Sequence, residues 1–214
     1  MDFRLRFAPA APARTPAPLD IAARMPAAGW SALPAAVRRR FAAAHHDTTY
    51  QGALDLDCSL AGRAFALLAR LAGGPLPGCR RQAVPARVRV YGDGDAGVVW
   101  ERHLHMPDGA VRVVRSTKMP GPGQALIERT DGGLAMVLDV FEDEGALVFR
   151  SRRYFLALGR WQLPVPTLFT PGTCRVEHRD LGAGRFRFTL SMVHPLWGRT
   201  FHQTGVFRDP EEVS

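Results

Sequence analysis

The sequence predicts a mainly β fold of the α+β class: a strongly curved antiparallel meander, or a β-barrel-like cup, with one or two N-terminal helices. Three observations predict it. In RFRFTLSM, residues 185–192, Phe186, Phe188, Leu190 and Met192 fall on one side while Arg185, Arg187, Thr189 and Ser191 fall on the other. A period of two marks a half-buried strand. The same alternation recurs from residue 86 onward, in segments separated by GDGDAG, PDG, PGPG, DGG, DEG and GAG. Such short connections join antiparallel neighbours. Helical spacing, by contrast, is confined to the first third of the chain.

Taken in order, residues 1–28 are rich in Ala and Pro and read as a flexible tail, with a short helical turn around Ile21 to Met25. Residues 29–209 read as a single β-cup domain, and 210–214 as a C-terminal tail. GWSALPAAVRRRFAAAHH predicts a helix, with Pro34 in a first-turn position and Val37 and Phe41 on one face. TTYQGALDLDC is strand-like. SLAGRAFALLARLAGG is a second helix whose Leu60, Ala64, Leu67, Leu68 and Leu71 form the stripe expected to pack on the sheet. Strands are expected near 86–91, 97–106, 110–119, 124–130, 134–141, 146–157, 174–180, 185–193 and 199–207. The prolines of GRWQLPVPTLFTPG are expected to break pairing. A meander of this length curls or closes, because an open edge invites aggregation. Lipocalin-like and START/Bet v 1-like cups are the nearest analogies, without the long C-terminal helix of the latter.

The 214 residues suffice for one sizeable core, and a chain that is 46% hydrophobic and 22% charged is ordinary for a globular protein. A net charge of +8 raises nucleic-acid binding. The pattern speaks against it: Lys118 is the only lysine, and the arginines alternate along strands, as at Arg87 and Arg89, Arg150 and Arg152, and Arg185 and Arg187. Solvated strand faces account for them. Cys58, Cys79 and Cys174 are odd in number and form no CxxC pair, which fits reduced thiols and a cytoplasmic location rather than a disulfide framework. No run approaches the roughly 18 apolar residues of a membrane span, and SLAGRAFALLARLAGG, which as a basic amphipathic helix could rest on a membrane, carries only Arg63 and Arg70, so packing on the sheet is expected and no membrane partner.

Several blocks in order, WSALPAAVRR, YQGALDLDCSLAGRAFALLARLAGGPLP, VVWERHL, ALIERTDGGL, LPVP and CRVEHRDLGAGRFRFTLSMVHPLWG followed by Gly205, carry a resemblance over residues 30–207. The chain resembles the bacterial domain-of-unknown-function family numbered 4166. Members of that family stand alone or follow a reductase-like NAD(P)-binding domain. The resemblance implies a stand-alone member, with a reductase-like protein as one conceivable partner, and brings no established activity.

The functional clue lies in strands that break their own alternation. Arg102 shares a face with Trp100, Leu104 and Met106; Arg115 with Val111 and Val113; Arg153 with Leu147, Phe149 and Phe155; Glu128 with Leu126. If those faces point inward, three arginines meet one carboxylate, and a buried charge must be paired, solvated or used. The surplus prepares the interior for an anion. A barrel mouth or a parity-flipping bulge is the plainer explanation for any one of them. Glu101, His103 and His105 lie on the opposite, outward face and span about 13 Å on an extended strand, too far to converge on a metal. The expected function is a small-molecule cup for a largely apolar, acidic ligand, using Trp100, Arg102, Arg115, Glu128 and Arg153, with no cofactor. The alternatives are a cofactor-free isomerase, cyclase or lyase using Glu128 or His178 as acid or base, or an accessory domain for a reductase.

Overall fold

The computed structural model describes residues 19–42, 47–71, 76, 78–159 and 161–210. Eleven strands follow one another: β1 (Thr48–Cys58), β2 (Arg81–Gly92), β3 (Val98–His105), β4 (Val111–Pro120), β5 (Leu126–Thr130), β6 (Leu134–Asp143), β7 (Ala146–Leu158), β8 (Trp161–Val165), β9 (Thr173–Gly182), β10 (Arg185–His194) and β11 (Gly198–Arg208). Each pairs antiparallel with its sequence neighbour, β11 returns to β1, and β6 pairs with β7, so ten strands close into a barrel. Closure removes the edge that an open meander would expose.

The exception is β8. The first half of β7 pairs with β9 and the second half with β8, so β8 is a short flap extending one end of the barrel. The prolines expected to prevent pairing do not: Pro164 sits opposite Phe155 on this edge strand, where one missing N–H goes unneeded.

Among the described residues, three helices and two 3₁₀ turns accompany the strands, the second 3₁₀ turn (Thr167–Phe169) lying between β8 and β9. The first 3₁₀ turn (Ala22–Arg24), α1 (Ala27–Ala32) and α2 (Ala35–Arg40) precede β1. The expected single helix is two, because Leu33 before Pro34 is extended (ψ 144°), as the proline ring requires; residues 43–46 of that stretch lie outside the described ones. Leu19, Ile21 and Met25 are buried in the main core, so the packed fold reaches back to residue 19, within the segment expected to be a tail. Arg40 fastens this unit, donating from Nε and Nη2 to both carboxylate oxygens of Asp209 (2.6 and 2.7 Å) and from Nη2 to Asp180 (3.1 Å). Phe41, just past α2, then inserts into the barrel floor against Trp100, Phe149 and His178.

At the other end α3 (Leu60–Leu71) links β1 to β2. Here the stripe expected to be buried is reversed: Leu60, Leu67 and Leu68 are exposed by 81%, 64% and 53%, while Gly62, Phe65 and Ala66 face the barrel. Close approach decides it. A Cβ at Gly62 would lie 2.1 Å from the Thr200 carbonyl oxygen, so only the small-residue face fits that near β11.

Candidate ligand-binding site

Strand register selects what enters the interior. Trp100 and Arg102 from β3 pair across to Ser116 and Val114 of β4, and Lys118 of β4 stands directly opposite Glu128 of β5. These side chains share a wall of a cavity of about 110 Å³. The remaining lining is mostly apolar and includes Leu54, Met136, Val176, Phe186, Phe188 and Leu190.

Arg102 and Glu128 point inward, as the alternation requires. Arg153 does not, and Arg115 only borders the cavity while its guanidinium turns outward. Val111 and Val113, the apolar residues that assigned Arg115 to the interior, are themselves on the outside. Arg115 pairs there with Glu101, its Nε donating at 2.8 Å, and Asp131 lies 3.8 Å away. For Arg153, pairing steps from Val137↔Arg153 to Leu138↔Ser151, leaving Arg152 as an inserted residue. That bulge inverts β7's parity, so Leu147, Phe149 and Ser151 point inward before it and Tyr154 after it, with Arg153 exposed outside. Sequence reasoning missed Lys118 altogether, although a lone lysine in an arginine-rich chain, placed opposite Glu128 across the PGPG hairpin, was a usable signal.

The polar groups form one chain. Ser116 Oγ donates to Glu128 Oε1 at 2.6 Å, Lys118 Nζ lies 3.2 Å from the same oxygen, and Arg102 Nη2 donates weakly to Ser116 Oγ at 3.5 Å. Lys118 Nζ also sits 5.0 Å from the Trp100 ring centre and 5.2 Å from that of Phe149, within cation–π range. Burial alone would raise the Glu128 carboxyl; the Lys118 charge, the Ser116 hydrogen bond and Arg102 outweigh it and hold it below the ordinary value. Burial lowers Lys118, with Glu128 opposing, and lowers Arg102 likewise. The Lys118–Glu128 pair is neutral overall whether its proton sits on nitrogen or oxygen. Arg102 is therefore the surplus charge, and its Nε is buried with no hydrogen-bond partner. A buried guanidinium with an unused N–H is costly unless something arrives to accept it.

His178 stands across the interior, ringed by Phe41 (4.8 Å between centroids), Phe188 (5.4 Å), Trp100 (5.6 Å), Phe149 and Phe186 (both 6.2 Å). Burial, then the charges of Lys118, Arg40 and Arg102, hold it well below the usual histidine range, so the imidazole is neutral at pH 7. Burial, with the Glu128 charge next, pushes the Cys174 thiol up to about 12, which leaves it an unreactive apolar filler. Tyr154 is raised well above its ordinary value, again by burial first, and its hydroxyl donates to the Gly172 carbonyl at 2.9 Å.

The His178 environment has a consequence for pH dependence. The unfolded imidazole titrates at its ordinary value near 6.5, while the folded one stays neutral below that. The unfolded state then binds more protons, so stability is full above about pH 6.5 and falls as pH drops toward the folded value. His202, also lowered by burial and then Arg199, adds to the same window. Urea unfolding at pH 7.5 and 5.5 is expected to show a smaller loss for His178→Phe than for the parent. Equal losses would place the titration elsewhere.

The chain is 12% identical to a siderocalin, Ex-FABP, described as functioning through dual ligand specificities; the match covers 78% of this chain and 76% of that one at a TM-score of 0.30. At that score the barrel assignment rests on the strand pairing alone. No curated protein matches the sequence. Among the described residues, no helix is long and apolar enough to cross a membrane. The family model described as Domain of unknown function (DUF4166) matches residues 33–207, spanning the barrel from before α2 to the end of β11, and the chain belongs to that family.

Proposed function

We propose that the barrel is a binding cup for a small, largely apolar molecule with an anionic head, and that Arg102 takes the head. The observation that carries this is the unpartnered, buried Arg102 Nε beside a self-neutralising Lys118–Glu128 pair, inside an otherwise aromatic and aliphatic cavity. A carboxylate or similar group would satisfy the free N–H and balance the surplus charge, while Trp100, Phe186 and Phe188 hold the apolar body. An acid–base enzyme on the same residues is less well supported. Glu128 is held ionised by Lys118 and Ser116, and His178 is neutral with a depressed affinity for protons, so neither is poised to exchange a proton near pH 7.

The test compares short-chain fatty and aromatic carboxylates with the matching alcohols by calorimetry. The parent is expected to prefer the acids. A charge-assisted hydrogen bond in a partly dry site contributes about 1.5–3 kcal/mol, so Arg102→Met should weaken acid binding roughly ten- to a hundredfold and leave alcohols nearly unchanged. Arg115→Met and Arg153→Met, on the outer face, should change neither. Equal affinity for acid and alcohol in the parent would overturn the anionic-head assignment.

A further inference from the structure

We propose that the α3 end of the barrel docks on an anionic lipid surface. The exposed stripe of α3 does not stand alone. Phe65 beneath it packs on Trp197 with ring centroids 5.5 Å apart, and Trp197 with its neighbour Leu196, in the β10–β11 turn, is exposed. Trp197 stacks on His194, whose Nε2 lies 3.2 Å from the Thr167 carbonyl, bringing in the exposed Leu168 and Phe169. Three segments thus carry exposed Leu, Trp and Phe side chains around one end of the barrel. Folded monomers rarely leave so many large side chains in water at one end, and the Trp/Phe/Leu composition is that of groups that enter a headgroup–acyl boundary.

Charge selects the occupant. Arg63 is exposed on the same stripe, one helical turn from both Leu60 and Leu67. Arg80, Arg81 and Arg199 are exposed at this end of the barrel, and Arg80 and Arg199 share the single carboxylate of Asp57 (2.7 and 3.6 Å). Asp55 lies on the same strand as Asp57, so these four arginines outnumber the two carboxylates that β1 sets beside them. A basic rim around an apolar centre complements anionic headgroups above an acyl layer. A second copy of the chain fits poorly, because a two-fold contact sets the same arginines against one another. Ala69, Leu76, Pro171 and Met192, from this end of the barrel, line the cavity, so a docked barrel would bring that end of its interior toward the source of an amphipathic acid. The docking itself rests on the exposed face and does not require the ligand assigned above.

Flotation of the full chain with vesicles tests it, using phosphatidylglycerol mixed into phosphatidylcholine against phosphatidylcholine alone. Binding is expected to the anionic vesicles, to weaken in about 0.5 M salt as screening requires, and to be slight on the neutral ones. Leu67→Glu/Leu68→Glu should weaken it at least tenfold, and Arg63→Glu should remove most of the preference for anionic vesicles. Both changes lie on exposed positions, so unfolding midpoints and carboxylate affinity in solution should stay at parental values. That readout separates a failure of docking from a failure of the cup. Absence of binding to either vesicle, binding unchanged by the double variant, or a dimer in solution that the double variant abolishes would each overturn the proposal.

Discussion

Replacing Glu128 with Gln is expected to destabilise the protein by about 3–5 kcal/mol, the range for removing one member of a buried ion pair, and so to lower Tm by roughly 6–20 °C for a chain of this size. The amide keeps the shape and can still accept from Ser116. It supplies no charge, however, so Lys118 and Arg102 are left as two cations in one dry wall. Lys118 can escape by releasing its proton. At pH 7 that costs about 4–5 kcal/mol for an ordinary lysine, which sets the upper bound. The sign follows. With its folded affinity for protons depressed, Lys118 makes the variant regain stability as pH rises toward the unfolded lysine value, so the gap to the parent should narrow between pH 7 and 9.5. Glu128→Gln/Lys118→Met should recover most of the loss, since burying no pair is often neutral. Glu144→Gln, on the exposed β6–β7 turn, is the control. A loss under about 0.5 kcal/mol in urea unfolding, the usual surface range, would mean the pair is not buried as described.

That prediction depends on Lys118, which the sequence reading passed over, and the reason is physical. Alternation identifies strands well where one face is apolar, as in β10, and this fixed nearly every strand within a few residues. It fails where the inward face is itself polar. On β4 the side chains lining the cavity are Val114, Ser116 and Lys118, while Val111 and Val113 lie outside, so the apolar residues point to the wrong parity. Register settles what hydropathy cannot: Arg115 sits opposite Glu101, which the Trp100 face had already placed outward. Arg153 was misplaced for a different reason, the bulge at Arg152, which no turn residue announces. On α3 the leucines outweigh Gly62, Phe65 and Ala66 in hydrophobicity, yet the small face packs because distance to β11, not apolarity, limits the fit. The errors on β4 and α3 share one origin. Each polar or small residue chosen for the interior or the contact has a role that amphipathic averaging hides.

Phe41→Ala is the second large change expected, because this side chain joins the N-terminal segment to the binding site. Its ring is 1% exposed and stacks on Trp100 at 5.5 Å, meets Phe149 at 5.7 Å and sits edge-on to His178 at 4.8 Å. Truncating a core Phe costs about 3–5 kcal/mol, from lost transfer energy and the cavity left behind. The position lies between two anchors that hold the backbone in place, Arg40 on Asp180 and Asp209 before it and β1 after it, so the site cannot collapse to fill the void. The loss should fall at the upper end of that range. Phe169→Ala, on an exposed ring, should stay within about 0.5 kcal/mol. A floor without Phe41 also admits water to His178, whose low proton affinity is due first to burial. The variant should therefore lose less stability than the parent between pH 7.5 and 5.5, even as it is weaker at both. Urea unfolding at the two pH values reads both effects. A cost below about 1 kcal/mol, with the pH slope unchanged, would show that Phe41 neither seals the barrel nor shields the histidine.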